Sequence, residues 1–138
     1  MGEASWMRVL AVDLGTKRTG FAVSDPEGKM ALALPTLLDV APVDVACVAE
    51  EQQAETIVVG LPLNMDGTVG PAAQRSLDFA EELRFHVDVP VVTWDERLTT
   101  AEGDARLRQA GLNRKERKKR ADVAAAVVIL ESYLRRTP

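Results

Sequence analysis

Three acidic residues stand out by context: Asp13 inside an apolar run, Glu96 just past another, and Asp122 at the head of an alanine-rich stretch. Asp13 is the sharpest case. In Val9-Leu10-Ala11-Val12-Asp13-Leu14, strand alternation puts Val9, Ala11 and Asp13 on one face and Leu10, Val12 and Leu14 on the other. Both faces are apolar, so the carboxylate is not the solvent side of a one-sided strand. A buried, unpaired carboxylate is strongly unfavourable unless a cation or hydrogen-bond donors compensate it. The reading that follows is a metal ligand or a phosphate-site residue at a strand's end. If the three acids gather, each raises the others' pKa, and a divalent cation is the usual relief. Oxygen-only ligands favour Mg2+ or Mn2+ over zinc, and neither His86 nor Cys47 has a partner at zinc-site spacing.

Two of the three acids also have plainer readings. Asp122 opens an Ala-rich helix and suits a cap or the positive end of the helix dipole. Asp95-Glu96-Arg97 also reads as a solvated ion-pair cluster at a strand end. Because neighbouring strand residues point to opposite faces, only one of Asp95 and Glu96 is expected to bind a given ion.

The elements that must position these residues are legible in outline. Arg8 to Leu14 and Thr19 to Asp25 read as an antiparallel hairpin, Asp25-Pro26-Glu27-Gly28 as a turn, and Lys29 to Leu34 as a third strand. Pro35 and Pro42 bracket a change of periodicity into a helix that runs to Ala54, with an exposed Glu50-Glu51-Gln52-Gln53 end. Thr56 to Gly60 is a β-branched run of the kind buried in a parallel sheet. The stretch from Gly60 to Gly67 is rich in turn residues, and a helix follows from Pro71 to about His86. Val89 to Trp94 is a further strand, Thr99 to Ala110 a helix ended by Gly111, and Asp122 to Arg136 the last helix. The expected fold is α/β: a mixed five-stranded sheet, three antiparallel strands and then parallel ones, with helices on both faces. In such sheets strand ends and helix starts converge on one edge, where catalytic groups gather.

Composition sets bounds on partners. The 138 residues suit one domain, and 46% hydrophobic content supports a real core. The longest apolar stretch, Val123 to Leu130, is far short of the ~20 residues a membrane helix needs. Met1 to Trp6 has neither the basic start nor the apolar core of a signal peptide, so the expectation is a cytoplasmic protein with residues 1–6 as an extension and 7–138 as a single domain. A lone cysteine fits a reducing compartment, and Cys47 among Val45, Ala46 and Val48 is expected to be a small buried residue. The net charge of -4 argues against a polyanionic partner until its distribution is considered. Arg114-Lys115-Glu116-Arg117-Lys118-Lys119-Arg120 holds six basic residues and one acidic, or +5, which leaves -9 for the rest of the chain. That run is either a solvated loop or a phosphate-binding patch.

Four blocks carry a family resemblance: Asp13-Leu14-Gly15-Thr16-Lys17-Arg18-Thr19-Gly20, Gly60-Leu61-Pro62-Leu63-Asn64-Met65-Asp66-Gly67, Asp95-Glu96-Arg97-Leu98-Thr99-Thr100, and Lys119 to Leu130. In this order, over Met7 to Leu134, the chain resembles the YqgF family, also called RuvX, of Holliday-junction-resolvase-like nucleases with a ribonuclease H fold. The resemblance implies that Asp13, Glu96 and Asp122 are the acidic active-site positions, that Mg2+ or Mn2+ binds there, and that the protein is a homodimer. It also implies a nuclease acting on structured RNA, or on single-stranded or branched DNA, in ribosomal RNA precursor processing or Holliday-junction resolution.

On that reading, two ions roughly 3.5 to 4 Å apart activate water and stabilise the leaving oxygen, with Asp13 anchoring both and Glu96 and Asp122 holding one each. Lys17, Arg18, Arg97, Arg114, Lys115, Arg117, Lys118, Lys119 and Arg120 then hold flanking phosphates. Asn64 either donates to a phosphate or closes its own turn, and Trp94 belongs to the core rather than to a base-stacking platform. Two rivals share some of these features. An actin-like ATPase also uses an Asp-x-Gly-Thr turn, but it closes two domains over its nucleotide, and this chain has length for one. A non-catalytic RNA- or ribosome-binding module would keep the fold and the basic segment.

Overall fold

The computed structural model describes residues 8–97, 99 and 125–136. Asp122, the basic run at 114–120 and nearly all of the helix expected from Thr99 to Ala110 lie outside the described residues.

The described elements are β1 (Val9–Leu14), β2 (Arg18–Ser24), β3 (Ala31–Leu38), α1 (Pro42–Glu51), β4 (Thr56–Leu61), α2 (Pro71–Leu83) and β5 (Val91–Asp95), followed by a helix over 125–134. The sheet runs β3-β2-β1-β4-β5. β1 and β2 pair antiparallel, as do β2 and β3, while β4 lies parallel to β1 and β5 parallel to β4. The expected mixed five-stranded sheet is therefore present.

Both sheet faces are covered, which explains why β1 and β4 carry apolar residues at successive positions. One face packs Leu10, Val12, Phe21, Ile57 and Val59 against Val45 and Ala49 of α1 and Ala80 and Leu83 of α2. The other packs Val9, Ala11, Ala22 and Val58 against Ala126, Ile129, Leu130 and Tyr133 of the 125–134 helix. Trp94 fastens that helix to β5: its indole Nε1 donates to Ser132 Oγ at 2.9 Å, and its ring meets Tyr133 edge-on at 5.4 Å. It is a half-buried packing residue, in keeping with the sequence reading.

Three sequence expectations need correction. The third strand does not stop before Pro35 but continues to Leu38. β3 is an edge strand, where a residue without an N–H is tolerated. Between the pairs Thr19↔Leu37 and Phe21↔Leu34, β3 advances three residues while β2 advances two, so a bulge absorbs the extra residue beside Pro35. The first helix ends at Glu51 rather than at Ala54, because Gln53 takes a positive φ of 56° and the Ala54 N–H turns back to the Ala49 carbonyl at 2.9 Å. Cys47 is exposed rather than buried. α1 buries Val45 and Ala49, and two residues beyond Val45 a helix has turned by roughly 200°, away from the sheet. Among the described residues no helix is long and apolar enough to cross a membrane.

Candidate active site

Because β1, β4 and β5 are mutually parallel, their carboxyl ends reach the same edge of the sheet. That edge carries Asp13 near the end of β1, Gly60 and Leu61 at the end of β4, and Asp95 and Glu96 at the end of β5. Asp13 keeps the alternation of its strand, on the face of Val9 and Ala11 that the 125–134 helix covers. Its antiparallel partner is Gly20 on β2. A Cβ placed on Gly20 would stand 3.8 Å from Asp13 Cβ and 3.7 Å from Ala126 Cβ, so Asp13 and the start of the described helix border the same glycine.

Glu96 arrives from the other side. A Cβ on Gly60 would come within 2.5 Å of Glu96 Oε2 and 2.7 Å of Ile129 Cδ1. The side chain therefore crosses β4 where a glycine leaves room, between the strand and the helix. Gly60, which in the sequence reads as the end of a β-branched run and the start of a turn-rich block without a role at the site, is the residue that makes room for Glu96. A glycine closing a β-branched run is the signal that marks such a close approach.

The electrostatics follow from this placement. Burial pushes the Glu96 carboxyl well above the usual carboxylate range, to about 7, and the negative charges of Asp13 and then Asp95 push in the same direction. The edge is thus a low-dielectric place with more negative charge than it can comfortably hold. Asp95, by contrast, is held below the ordinary range, chiefly by its hydrogen bonds with Arg97. Arg97 Nε lies 3.1 Å from each Asp95 oxygen, Nη2 lies 2.7 Å from Oδ2, and the Arg97 backbone N–H donates to Oδ1 at 2.9 Å. Adjacent acids thus have separate surroundings, Glu96 over Gly60 and Asp95 on Arg97.

Arg97 also reaches the loop that follows β4, donating from Nη1 to the Met65 carbonyl at 3.3 Å. This loop ties itself together. Asn64 Nδ2 donates to Thr68 Oγ1 at 2.9 Å, the Gly67 N–H to the Asn64 carbonyl at 2.8 Å, and Thr68 Oγ1 to Asp66 Oδ1 at 2.6 Å. Of the two roles open to Asn64, the described bonds are those of turn closure. Lys17 and Arg18 sit exposed where the chain turns from β1 into β2, beside Asp13 in sequence.

The arrangement therefore brings Asp13 and Glu96 together with Arg97 and Asn64 alongside, while Asp122 and the run at 114–120 are outside the described residues. Among the described residues there is no group of three or more His, Cys, Asp or Glu side chains that could hold a metal ion by themselves. Asp13 and Glu96 offer oxygen donors alone. Their chemistry fits a hard divalent cation such as Mg2+ or Mn2+, which would offset the charge that burial first, and then Asp13 and Asp95, make costly at Glu96.

Residues 7–136 match the family described as "RuvX: Holliday junction resolvase". A protein of Halalkalibacterium halodurans named "Putative pre-16S rRNA nuclease" is 46% identical over 136 residues, covering 94% of this chain and 97% of its own length. A Clostridium acetobutylicum protein of the same name is 40% identical over 134 residues, covering 93% and 98%. Among solved structures, Thermus thermophilus RuvC in complex with a Holliday junction substrate superposes with a TM-score of 0.57 at 15% identity, covering 93% of each chain. That likeness establishes the ribonuclease H-like fold. With the family pattern matched across nearly the whole sequence, and with such relatives beside it, this chain belongs to the RuvX, or YqgF, family of Holliday-junction-resolvase-like nucleases.

Proposed function

We propose that the protein is a divalent-metal-dependent endonuclease that hydrolyses phosphodiester bonds in structured nucleic acid, with Asp13, Glu96 and Asp122 as its acidic centre. The observation that carries this reading is the Glu96 carboxylate seated over Gly60, its proton affinity raised by burial and by the facing charge of Asp13. A carboxylate so placed has its charge restored when a cation replaces the proton. Asp122 joins the set on the family resemblance and on sequence, four residues before Ala126, whose Cβ borders the same Gly20 as the Cβ of Asp13.

When bound, divalent ions at such a site lower the pKa of water and stabilise charge on the leaving oxygen. The chain's own residues supply the rest. Asp13 and Glu96 fix the position of the charge centre relative to the sheet edge, because one sits in a paired strand and the other is confined between β4 and Ile129. Lys17 and Arg18, exposed beside the site, hold flanking phosphates, together with the six basic residues between Arg114 and Arg120. Hydrolysis adds water across the P–O bond, its oxygen going to phosphorus and a proton to the leaving oxygen.

The relatives' name points to the ribosomal RNA precursor as substrate, and the family description to DNA junctions. The same centre serves either. The test incubates purified protein with labelled precursor RNA and labelled junction DNA in Mn2+, Mg2+ or EDTA, alongside Asp13→Asn. Cleavage should require metal and fall by at least about a hundredfold in the variant, a loss of roughly 2.7 kcal/mol in transition-state stabilisation, while binding persists. Binding without cleavage in the wild type would leave a non-catalytic nucleic-acid module. Cleavage that survives in EDTA would overturn the metal-dependent centre.

A further inference from the structure

Arg97 has the residue type of a phosphate contact, yet its guanidinium is already occupied. The Nε and Nη2 groups fork onto Asp95, and Nη1 reaches the Met65 carbonyl at 3.3 Å. The bonds to Asp95 bracket Glu96. Asp95 and Arg97 are its two sequence neighbours, and they are joined both side chain to side chain and from the Arg97 backbone N–H to Asp95 Oδ1 at 2.9 Å. The peptide carrying Glu96 is thereby closed into a small hydrogen-bonded ring.

The third bond links this ring to the segment after β4. That segment begins at Pro62, two residues beyond Gly60, the residue over which Glu96 lies. It is internally braced by Asn64, Asp66 and Thr68, and Gly67 at φ +89° places its backbone beside the Arg97 fork, 3.3 Å from Nη1 to where a Cβ would stand. Two consequences follow from the geometry. The direction of the Glu96 side chain is set by its neighbours' mutual bonds, and its seat on β4 is held at a fixed distance from β5 by Arg97.

The geometry points to Arg97 as a positioning residue: paired with Asp95, it clamps the ends of β4 and β5 so that the Glu96 carboxylate is held over Gly60 and facing Asp13. This inference rests on the reading of Glu96 as a metal ligand. Planarity matters here. A guanidinium satisfies both Asp95 oxygens and a carbonyl at once, and a lysine ammonium cannot reproduce that fork.

The experiment measures Mn2+ affinity by titration with an electron paramagnetic resonance readout, free of any turnover. The proteins are the wild type, Glu96→Gln, Arg97→Ala, Arg97→Lys, Asp95→Ala and the double variant Asp95→Ala/Arg97→Ala. Removing partners of a ligand typically costs about 10- to 100-fold in metal affinity, so Arg97→Ala should weaken Mn2+ binding at least about tenfold. Arg97→Lys should rescue little of it, and the double variant should be no worse than the single ones, because the two residues act as a unit. Thermal melts on the same samples show that each variant is folded, and Arg97→Lys carries the test if Arg97→Ala is not.

In EDTA, the salt dependence of binding to labelled junction DNA should be the same for Arg97→Ala and the wild type. If Arg97→Ala keeps wild-type Mn2+ affinity while its salt slope falls by about 0.9, Arg97 is a phosphate contact and the clamp is wrong. If Glu96→Gln itself leaves Mn2+ affinity unchanged, the metal-ligand reading falls and takes the clamp with it. The two failures therefore separate.

Discussion

At the scale of single residues, Glu96 is where physical chemistry is most concentrated. Its folded-state pKa of about 7 lies above that of an unfolded glutamate, so the folded protein holds this proton more tightly than the unfolded chain does. In metal-free protein the associated stability is fully present below the unfolded pKa, near ~4.3. It is lost as pH rises through about 7, the reverse of an ordinary salt-bridged carboxylate. The full swing is roughly 3–4 kcal/mol, because each tenfold difference in proton affinity between the two states is worth about 1.4 kcal/mol. Urea unfolding in EDTA should therefore show the midpoint falling between pH 5 and 8, and adding Mn2+ should restore it at the alkaline end. Glu96→Gln should flatten the profile; a variant whose midpoint still falls like the wild type's would mean that another group titrates. On the proposed function proton and cation compete for the same oxygens, so apparent metal affinity should drop by up to about tenfold per pH unit below that pKa.

At the scale of elements, the site depends on how the 125–134 helix is fastened to the sheet. Ala126 and Ile129 from this helix enclose the carboxylates, and Trp94, one residue before Asp95, holds it through Ser132 and Tyr133. Trp94→Ala should lower stability by about 2–4 kcal/mol, a little under the usual cost of truncating a fully buried tryptophan, since this one is only half-buried. Trp94→Phe keeps most of the packing and loses one hydrogen bond, about 1 kcal/mol. Denaturant unfolding of the two variants checks the ranking, and equal losses would mean the indole N–H, rather than ring packing, does the fastening.

The same scale shows why some of the architecture was legible and some was not. Asp13's face and the two-sided burial of β4 follow from alternation, which is local. The passage of β3 through Pro35 depends on β3 being an edge strand, and no local pattern says which strand lies at the edge. The exposure of Cys47 was readable from its helical phase relative to Val45 and Ala49, but the apolar neighbours outweighed the phase. The meeting of Glu96 with Gly60 joins residues 36 positions apart, and the parallel pairing of β4 and β5 creates it.

At the scale of the whole molecule, a polyanionic substrate must approach a chain of net charge -4 whose proposed active edge is itself rich in carboxylates. Uniform charge would make that encounter unfavourable, and two features of the sequence relieve it. Lys17 and Arg18 stand exposed beside Asp13, and the stretch from Arg114 to Arg120 concentrates +5 just before Asp122. Affinity in this arrangement comes from a few phosphate contacts displacing counterions, so its logarithm should fall linearly with the logarithm of salt concentration, by about 0.9 per contact on duplex DNA and 0.7 on single strands. Replacing both Lys118 and Lys119 by alanine should lower the slope on junction DNA by up to about 1.8 and weaken binding at low salt far more than at high salt. The carboxylates of the proposed centre predict the opposite sign. Asp13→Asn removes a negative charge from the phosphate's path, so in EDTA it should bind at least as tightly as the wild type. A fluorescence-anisotropy titration over a salt series measures both effects at once. An unchanged slope in the lysine variant would assign the run at 114–120 to solvent and leave Lys17 and Arg18 to carry the phosphate contacts.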